Sequence, residues 1–158
     1  MSIEPGANLA LLLLGGFRQL AEAAEGELAR RGFPGITAAN ELALGAIAGG
    51  AANASDLGRR LNVSKQAAAK TIAVLEGRGY VERAGDPADS RRKLLAVTAR
   101  GQQAMREGRS IMDGLRRGWA AKIGDEELSR LESSLAALVG EQPIDLGAPG
   151  SLTGDTGD

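Results

Sequence analysis

One stretch of the chain, residues 53–101, constrains the fold more than any other part. It contains two short helical segments joined by a tight connection, followed by two β-prone runs around a tip rich in Pro, Asp and Arg. Two helices joined by so short a turn must cross steeply. The order of these segments therefore predicts a helix-turn-helix followed by a β-hairpin wing.

Polar residues mark the start of the first helix in this stretch. Asn53 can accept a hydrogen bond from a free amide of the helix start, and Asp56 can reach back or favour the positive end of the helix dipole. Leu57 and Leu61 lie four residues apart and therefore fall on one face. These signals predict a short helix that begins after Asn53.

The second helix is predicted to begin after Ser64, which can act as its N-cap. At about 100° per residue, one side of this helix is apolar and the opposite side is small and cationic. The apolar side carries Ala68, Thr71, Ile72 and Leu75. The opposite side carries Gln66, Ala69, Lys70 and Ala73. Small side chains let a backbone lie close to a partner surface, and Lys65, Gln66 and Lys70 can reach base edges and phosphates. The pattern is typical of a DNA recognition helix, and a solvated helix face is the alternative.

A hairpin is predicted after the second helix. The first strand begins at residues 80–81 with an apolar/polar alternation, residues 86–93 form the bend, and residues 94–97 form the returning strand. Asp89 precedes Arg91 by two positions, which is close enough to pair with the guanidinium and hold it outward. Because Arg is planar and always charged, it suits insertion into a narrow minor groove. The alternative is an ordinary polar hairpin loop, which Asp and Pro also favour.

The charge of the chain is unevenly distributed. The net charge is -1, but residues 55–100 contain ten basic and five acidic residues, and the remainder contains nine and fifteen. The first region therefore carries +5 and the remainder -6. The chain is therefore best described as a cationic module within an acidic body. A local cationic patch of this kind is what contact with phosphates requires.

Cysteine and histidine are both absent from the 158 residues. Their absence removes disulfides, thiolate nucleophiles, imidazole bases and most zinc sites. A helical enzyme using Glu126 and Glu127 is a rival function, but adjacent residues on a helix diverge by about 100°, and no base, metal cluster or phosphate loop accompanies them. We therefore expect no enzyme activity, no metal ion and no cofactor.

An apolar run at residues 9–14 is too short to span a bilayer. No Lys or Arg precedes it, which argues against a signal peptide. We therefore expect a cytoplasmic location and no membrane partner.

Residues 8–31 are predicted to form one helix, because apolar residues recur at helical spacing, namely Leu13, Phe17, Leu20, Ala24 and Leu28. The first turns are apolar nearly all round, and a small protein has only one core in which to bury them. We therefore expect part of this surface to meet another subunit in a homodimer. The alternative is a helix buried within its own chain.

Further helices flank the winged stretch. Thr37 can cap one helix before it, and Thr98 can cap a longer helix after it. Acidic residues at positions 125–127 favour the start of a last helix through its dipole. Residues 141–158 turn to Pro, Gly, Asp and Thr with few large apolar residues, which predicts a flexible acidic tail.

The winged stretch also carries a specific set of residues, namely Leu57, Leu61, Asn62, Val63, Ser64, Leu75, Glu76, Gly79, Tyr80, Val81, Glu82, Arg83, Asp86, Asp89, Ser90, Arg91, Val97, Thr98 and Gly101. The set includes an Asp-x-Arg in the wing and a Thr-x-x-Gly that opens the next helix. It resembles the MarR family of winged-helix transcriptional regulators. A coarser resemblance covers residues 2–140.

The resemblance implies a mainly α fold with a small β-hairpin wing (α+β), in which residues 1–140 form a single unit. Within that unit, residues 8–31 and 101–140 are expected to be dimerisation helices and residues 37–98 the winged helix-turn-helix. The resemblance also implies a homodimeric repressor that binds a pseudo-palindromic operator in double-stranded DNA. Many members of the family release DNA when a small phenolic or lipophilic ligand binds.

The residues predicted to bind DNA are Ser64, Lys65, Gln66, Ala69, Lys70, Asp89, Arg91 and Arg92. Ala69 departs from the family pattern, in which many members carry Ser or Thr at a base-contacting position. Ligands in this family lie between the winged unit and the dimerisation helices, where Phe17, Met112 and Trp119 are candidates and core packing is the alternative. The alternative for the whole chain is a winged-helix protein-interaction module that does not bind DNA.

Overall fold

The structure is a computed structural model that describes residue 2 and residues 4–140. These residues form six α-helices and a two-stranded antiparallel sheet, in the order α1 (Pro5–Arg30), α2 (Ala38–Ala48), α3 (Ala54–Leu61), α4 (Lys65–Gly77), β1 (Val81–Asp86), β2 (Asp89–Val97), α5 (Ala99–Ile123) and α6 (Asp125–Val139). The predicted fold class, mainly α with a small β-hairpin wing, is confirmed. The tail predicted at residues 141–158 lies outside the described residues.

Polar side chains cap the starts of four helices, at the positions that the sequence predicts. At α2, Thr37 Oγ1 accepts from the Asn40 N–H at 3.2 Å, and Asn40 Oδ1 accepts from the Thr37 N–H at 3.1 Å. Asn53, Ser64 and Thr98 each accept one N–H hydrogen bond at the starts of α3, α4 and α5. A cap of this kind stabilises a helix by about 1 kcal/mol.

The core lies between α2, the helix-turn-helix formed by α3 and α4, and the root of the wing. Its largest fully buried side chains are Leu28, Ile36, Leu44, Leu57, Ile72, Leu75 and Tyr80. The second half of α1 and the first half of α5 cover this core, where Ala24 and Ala104 are buried. The winged unit therefore shares one core with the ends of the flanking helices.

Helix α1 begins at Pro5, before the predicted start at residue 8, because Pro has a fixed φ and no N–H and so suits the first position of a helix. Residues 5–15 are all exposed. The side chain of Leu12 is 65% exposed, and Leu138 near the end of α6 is 80% exposed. The first half of α1 is therefore not buried by the described residues of its own chain.

The wing turns over two residues, Pro87 and Ala88. The predicted bend at residues 86–93 was too long, because β2 begins at Asp89. Asp86 Oδ1 accepts from the Ala88 N–H at 2.8 Å, and this local bond tightens the turn.

Three hydrogen bonds attach the wing root to its neighbours. The Thr98 N–H donates to the Tyr80 carbonyl at 3.0 Å, and the Thr98 hydroxyl donates to the Gly79 carbonyl at 2.6 Å. The Leu95 N–H donates to the Ala52 carbonyl at 3.1 Å, so β2 also joins the chain just before α3. These bonds set the position of the wing relative to the helix-turn-helix.

Gly101 allows α5 to start directly against the wing root. It is buried, and a Cβ at this position would overlap the Tyr80 carbonyl oxygen and lie 2.6 Å from Val97 Cγ1. Because the carbonyl belongs to the main chain, it cannot move aside as a flexible side chain would. A side chain at position 101 would therefore force the wing and α5 apart.

We expect Gly101→Ala to destabilise the fold by about 1–3 kcal/mol, because the added methyl group overpacks the wing root. Gly77→Ala in α4 is the matched control, because nothing lies near that position and Ala stabilises a helix by up to about 1 kcal/mol relative to Gly. Urea denaturation followed by circular dichroism measures both changes. A Gly101→Ala variant as stable as the wild type would show that the root is not tightly packed.

Candidate nucleic-acid interface

The two helices of the helix-turn-helix approach closely at Gly58. A Cβ there would lie 2.9 Å from the Val63 carbonyl oxygen. Asn62 in the turn has a φ of 56°, a left-handed conformation that Asn adopts more readily than most residues. The predicted tight connection therefore depends on Gly58 and Asn62. Sequence reasoning did not single out Gly58, since its neighbour in space comes from the turn.

Asp56 anchors the start of α3 and two arginines. Its Oδ2 accepts from the Ala52 N–H at 3.1 Å instead of from the Asn53 N–H, so the capping box is not closed. It forms ion pairs with Arg59 at 2.8 Å and with Arg60 at 3.7 Å. Burial raises the pKa of Asp56, but the hydrogen bonds from Arg59 and the Ala52 N–H outweigh burial, and the pKa lies below its usual value.

Helix α4 turns its apolar side to the core and its predicted recognition side to solvent. Ala68, Ile72 and Leu75 are buried. The predicted DNA-binding residues of this segment are all exposed, namely Ser64, Lys65, Gln66, Ala69 and Lys70. Ser64 Oγ accepts from the Ala67 N–H at 3.0 Å, and its hydroxyl can still donate to a phosphate.

The basic residues of the winged unit fall into two groups. Several arginines are occupied by neighbouring groups; for example, Arg78 donates to the Gly35 carbonyl and Arg83 pairs with Glu76 at 3.3 Å. In the part of the chain that the structure describes, no ion pair is formed by Lys65, Lys70, Arg92 or Lys93. The uncompensated positive charge therefore lies on the recognition side of α4 and at the wing tip.

The wing tip carries its arginines outside the regular strand pairing. Gly85 pairs with Lys93 and Asp86 pairs with Asp89. Residues 90–92 consequently have no cross-strand partner and form a bulge, a feature that redirects side chains away from a sheet.

Asp89 contacts Arg91, as their spacing predicts. Asp89 Oδ1 accepts from the Arg91 N–H at 3.0 Å and lies 3.5 Å from Arg91 Nε. The Arg91 side chain is 92% exposed, and an exposed ion pair of this kind contributes little stability. Asp89 therefore orients the guanidinium and leaves it accessible. Arg92 and Lys93 are also exposed, and Lys93, which continues the basic run, was not among the residues predicted to bind DNA.

Three cavities lie against the long helix α5, and two of them contain residues that were predicted to bind a ligand. One, of about 370 Å³, lies between α2 and α5 and is lined in part by Met112. The other, of about 340 Å³, lies between α1, α5 and α6 and is lined in part by Met112 and Trp119. Phe17 lines neither of these two cavities, and its side chain is 55% exposed. The structure therefore brings two of the three ligand candidates together and leaves Phe17 at the surface.

Glu41 in α2 is a polar residue of the first cavity that sequence reasoning missed. Its Oε1 is buried and has no hydrogen-bond partner among the described residues. Burial raises the pKa of the Glu41 carboxyl above its usual value. No sequence signal distinguished this residue, because Glu is common in the first turn of a helix, where the dipole favours it.

The residues considered for catalysis lie at the surface. Glu126 and Glu127 are exposed and both pair with Arg130, at 3.0 Å and 3.9 Å. Within residues 4–140, no three acidic side chains are grouped so that they could hold a metal ion. None of the described helices has the length and apolar character needed to cross a bilayer.

Comparison with known proteins supports this interpretation of the fold. A model of the MarR family matches residues 35–92, which include α2, the helix-turn-helix and the wing tip. No curated protein matches the chain.

Solved structures of MarR-family regulators share the fold. A MarR mutant from E. coli is 23% identical, with a TM-score of 0.66 over 88% of this chain and 98% of that one. A MarR-family transcriptional regulator from Rhodococcus sp. RHA1 is 19% identical, with a TM-score of 0.64 over 87% of this chain and 96% of that one. CouR from Rhodococcus jostii RHA1, bound to p-coumaroyl-CoA, is 20% identical, with a TM-score of 0.62 over 87% and 95%.

At these identities the structural likeness establishes the fold. The family match adds the residues of the helix-turn-helix and the wing. The chain therefore shares its fold with MarR-family winged-helix transcriptional regulators, and its helix-turn-helix and wing resemble those of the family in sequence.

Proposed function

We propose that the protein is a homodimeric repressor that binds a pseudo-palindromic operator in double-stranded DNA and is released by a small ligand. The observation that carries this proposal is the distribution of free charge on the winged unit. Lys65, Gln66 and Lys70 are exposed on one side of α4, and Arg91 is exposed at the wing tip. These are the two elements with which a winged helix reaches DNA.

The exposed residues differ in what they can recognise. Gln66 can form a bidentate pair with adenine in the major groove, whereas Lys65 and Lys70 suit phosphates. Ser64 can donate a hydrogen bond to a phosphate, and Ala69 lets the backbone approach the groove. Arg91 suits the narrow, electronegative minor groove. Sequence preference therefore comes mainly from base contacts of the helix. The wing adds a preference for the shape of the minor groove.

Dimerisation is supported by the apolar surface at the ends of the chain. We assign residues 8–31 and 101–140 to dimerisation and residues 37–98 to DNA binding. Leu12 of α1 and Leu138 of α6 are more than half exposed, and neighbouring leucines of α1 are similarly uncovered. Burying one such side chain contributes about 1.5–3 kcal/mol. Contact with a second copy would bury this surface.

A two-fold symmetric dimer presents two copies of α4. Such helices bind half-sites about one helical turn, roughly 34 Å, apart, so the operator should be a pseudo-palindrome. A dimer on this site denies it to other proteins, which supports repression. A regulator of this kind acts where the DNA is, in keeping with the expected cytoplasmic location.

Ligand response is supported by two of the cavities against α5. CouR is a protein of the same fold that binds p-coumaroyl-CoA. In this chain Met112 lines both cavities and Trp119 lines one, so both remain candidate ligand contacts. Phe17 could contribute only if the dimer covers it.

A protein-interaction module without DNA binding remains the alternative. It does not explain why Lys65, Lys70 and Arg92 lack ion-pair partners in the described residues while the nearby Arg59 and Arg60 have one. Binding to mixed genomic DNA separates the two functions, because a protein-interaction module retains no fragments. Sequencing the retained fragments would also identify the operator.

We predict different losses of DNA binding from substitutions in the helix and in the wing. Gln66→Ala should relax sequence preference at one position, by about 1–3 kcal/mol. Lys70→Ala should weaken binding to all sequences and reduce the salt slope by about one. Arg91→Ala should weaken specific binding and the preference for A·T steps, and Asp89→Ala should share part of that loss because it orients Arg91.

Fluorescence anisotropy at several salt concentrations measures these effects on a selected operator. Lys122→Ala is the control for Lys70→Ala, because Lys122 is an exposed lysine of α5 outside the winged unit. Its affinity and salt slope should match the wild type. The docking arrangement is refuted if Arg91→Ala and Gln66→Ala both keep wild-type affinity and selectivity.

The wild-type protein should sediment as a dimer at micromolar concentration. Leu12→Glu should shift it toward monomer, because a carboxylate would be buried in the proposed interface. Val74→Glu is the control, since Val74 is 41% exposed but lies on α4, outside the dimerisation helices. Analytical ultracentrifugation distinguishes the species. A stable, folded wild-type monomer would rule out the proposed assembly.

A further inference from the structure

We propose that the cavity between α2 and α5 binds amphiphilic organic cations, molecules with an apolar body and one ammonium group that pairs with Glu41. The proposal rests on the ligand response proposed above and specifies the chemical class of the ligand. It follows from the lining of the cavity, from the unpartnered oxygen of Glu41 and from the balance of charge around that oxygen.

The walls of the cavity suit an apolar body. Ile36, Leu44, Met105 and Met112 line it. Its volume of about 370 Å³ falls in the range of small-molecule sites, which are mostly apolar with a few polar groups that orient the ligand. The methionines can adapt to different ligand shapes, because their side chains are flexible and polarisable.

Glu41 supplies the polar group that such a site requires. Its Oε1 has no hydrogen-bond partner within residues 4–140 although the atom is buried. A buried acceptor without a partner lowers the stability of the fold, and more so when it is charged. A ligand group in the cavity that donates a hydrogen bond to this carboxyl, after a small rotation of the side chain away from Gly108, would remove that cost.

The structure makes room for this inward-facing carboxyl at Gly108. A Cβ at Gly108 would lie 3.0 Å from Glu41 Oε1, closer than such atoms ordinarily approach. The dipole of α2 would stabilise a carboxylate in the first turn equally well if it faced solvent. Its position against α5 is therefore not explained by helix stability alone.

The charges lining the cavity favour a cation. They are Glu41 from α2, and Arg109 and Asp113 from α5. None of the three forms an ion pair with another described residue, so the lining carries two acidic groups and one basic group, of which Arg109 and Asp113 are exposed. A carboxylate group placed beside Glu41 would be repelled by it and could pair only with Arg109, whereas an ammonium group would pair with Glu41 directly.

The position of the cavity provides a route to the DNA-binding surface. Helix α2 packs against α3, α4 and β2 of the winged unit and also against α5 and α1. A cation held between α2 and α5 can therefore change the placement of the winged unit relative to the dimerisation helices. It releases DNA only if it binds the DNA-free arrangement more tightly.

The test uses three probes with the same naphthalene body: 2-naphthylmethylamine, 2-naphthalenemethanol and 2-naphthoate. Isothermal titration calorimetry on the full-length protein measures the affinity of each near neutral pH. The amine should bind at least about tenfold more tightly than the carboxylate, a difference of about 1.4 kcal/mol. The alcohol should lie between them.

Glu41→Gln should abolish the preference for the amine, because the amide has nearly the same shape but no charge. Gly108→Ala should also weaken amine binding, since the added methyl group displaces the carboxyl, while Ala keeps the helix stable. Glu127→Gln is the matched control: it makes the same change at an exposed carboxylate of α6 that does not line this cavity, so the preference should stay within about threefold of the wild type. For the wild type, amine affinity should rise with pH as Glu41 ionises.

Three results would overturn the proposal: equal affinity for the amine and the carboxylate, a preference that survives in Glu41→Gln, or no binding of any probe at millimolar concentration. Operator binding without probe is measured on the same samples. A protein that binds its operator but ignores the probes contradicts the ligand class alone. Loss of operator binding itself would contradict the proposed function.

The pH dependence of stability gives a readout independent of any ligand. Because the pKa of Glu41 is raised in the folded state, its contribution to stability is present below the unfolded-state pKa and is lost as pH rises through the folded-state pKa. Glu41→Gln should therefore have a higher Tm than the wild type near neutral pH, with the gap narrowing toward about pH 4. Thermal unfolding across this range measures the gap. A lower Tm for Glu41→Gln near neutral pH would indicate that the carboxylate already has a partner.

Discussion

The contact between the start of α5 and the root of the wing is the constraint on which the rest of the structure depends. Here a glycine, Gly101, places the helix against the Tyr80 carbonyl, and Thr98 both caps the helix and bonds to the wing root. Arg100 lies 5.1 Å from the centre of the Tyr80 ring and 5.4 Å from that of Phe33, so cation–π contacts also stabilise this junction. The winged unit and the proposed dimerisation helices meet at this junction. Any change in α5 can therefore reach the wing without passing through a flexible linker.

Ion pairs inside the winged unit involve some of its basic side chains and leave others without an ion-pair partner among the described residues. Asp56 occupies Arg59 and Arg60 at the start of α3, and Glu76 occupies Arg83 beside the wing. Such pairs at a protein surface contribute little stability, since water screens them. Their larger effect is positional, because they leave Lys65 and the other unpaired cations to define the positive surface. A net charge near zero for the whole chain is therefore compatible with a strongly cationic face.

The cavity between α2 and α5 contains an energetically unfavourable group. An inward-facing carboxyl at Glu41 costs stability that an apolar residue of similar size would not. At the same contact, Gly108 makes α5 less stable than an Ala would, because Gly has a lower helix propensity. Two unfavourable choices at one contact are what the proposed ligand would explain, and they lie between α5 and α2, a helix that also packs against the helix-turn-helix.

The sequence by itself determined the local features of this protein. Helix caps such as Asn53, the two sides of α4 and the pairing of Asp89 with Arg91 depend on residues at most a few positions apart, so spacing and propensity are sufficient to predict them. Only the tertiary structure decided which charged side chains form ion pairs and which do not. It also decided that the Glu41 carboxyl packs against Gly108. Those contacts join residues far apart in the sequence, and no local pattern encodes the distance between them.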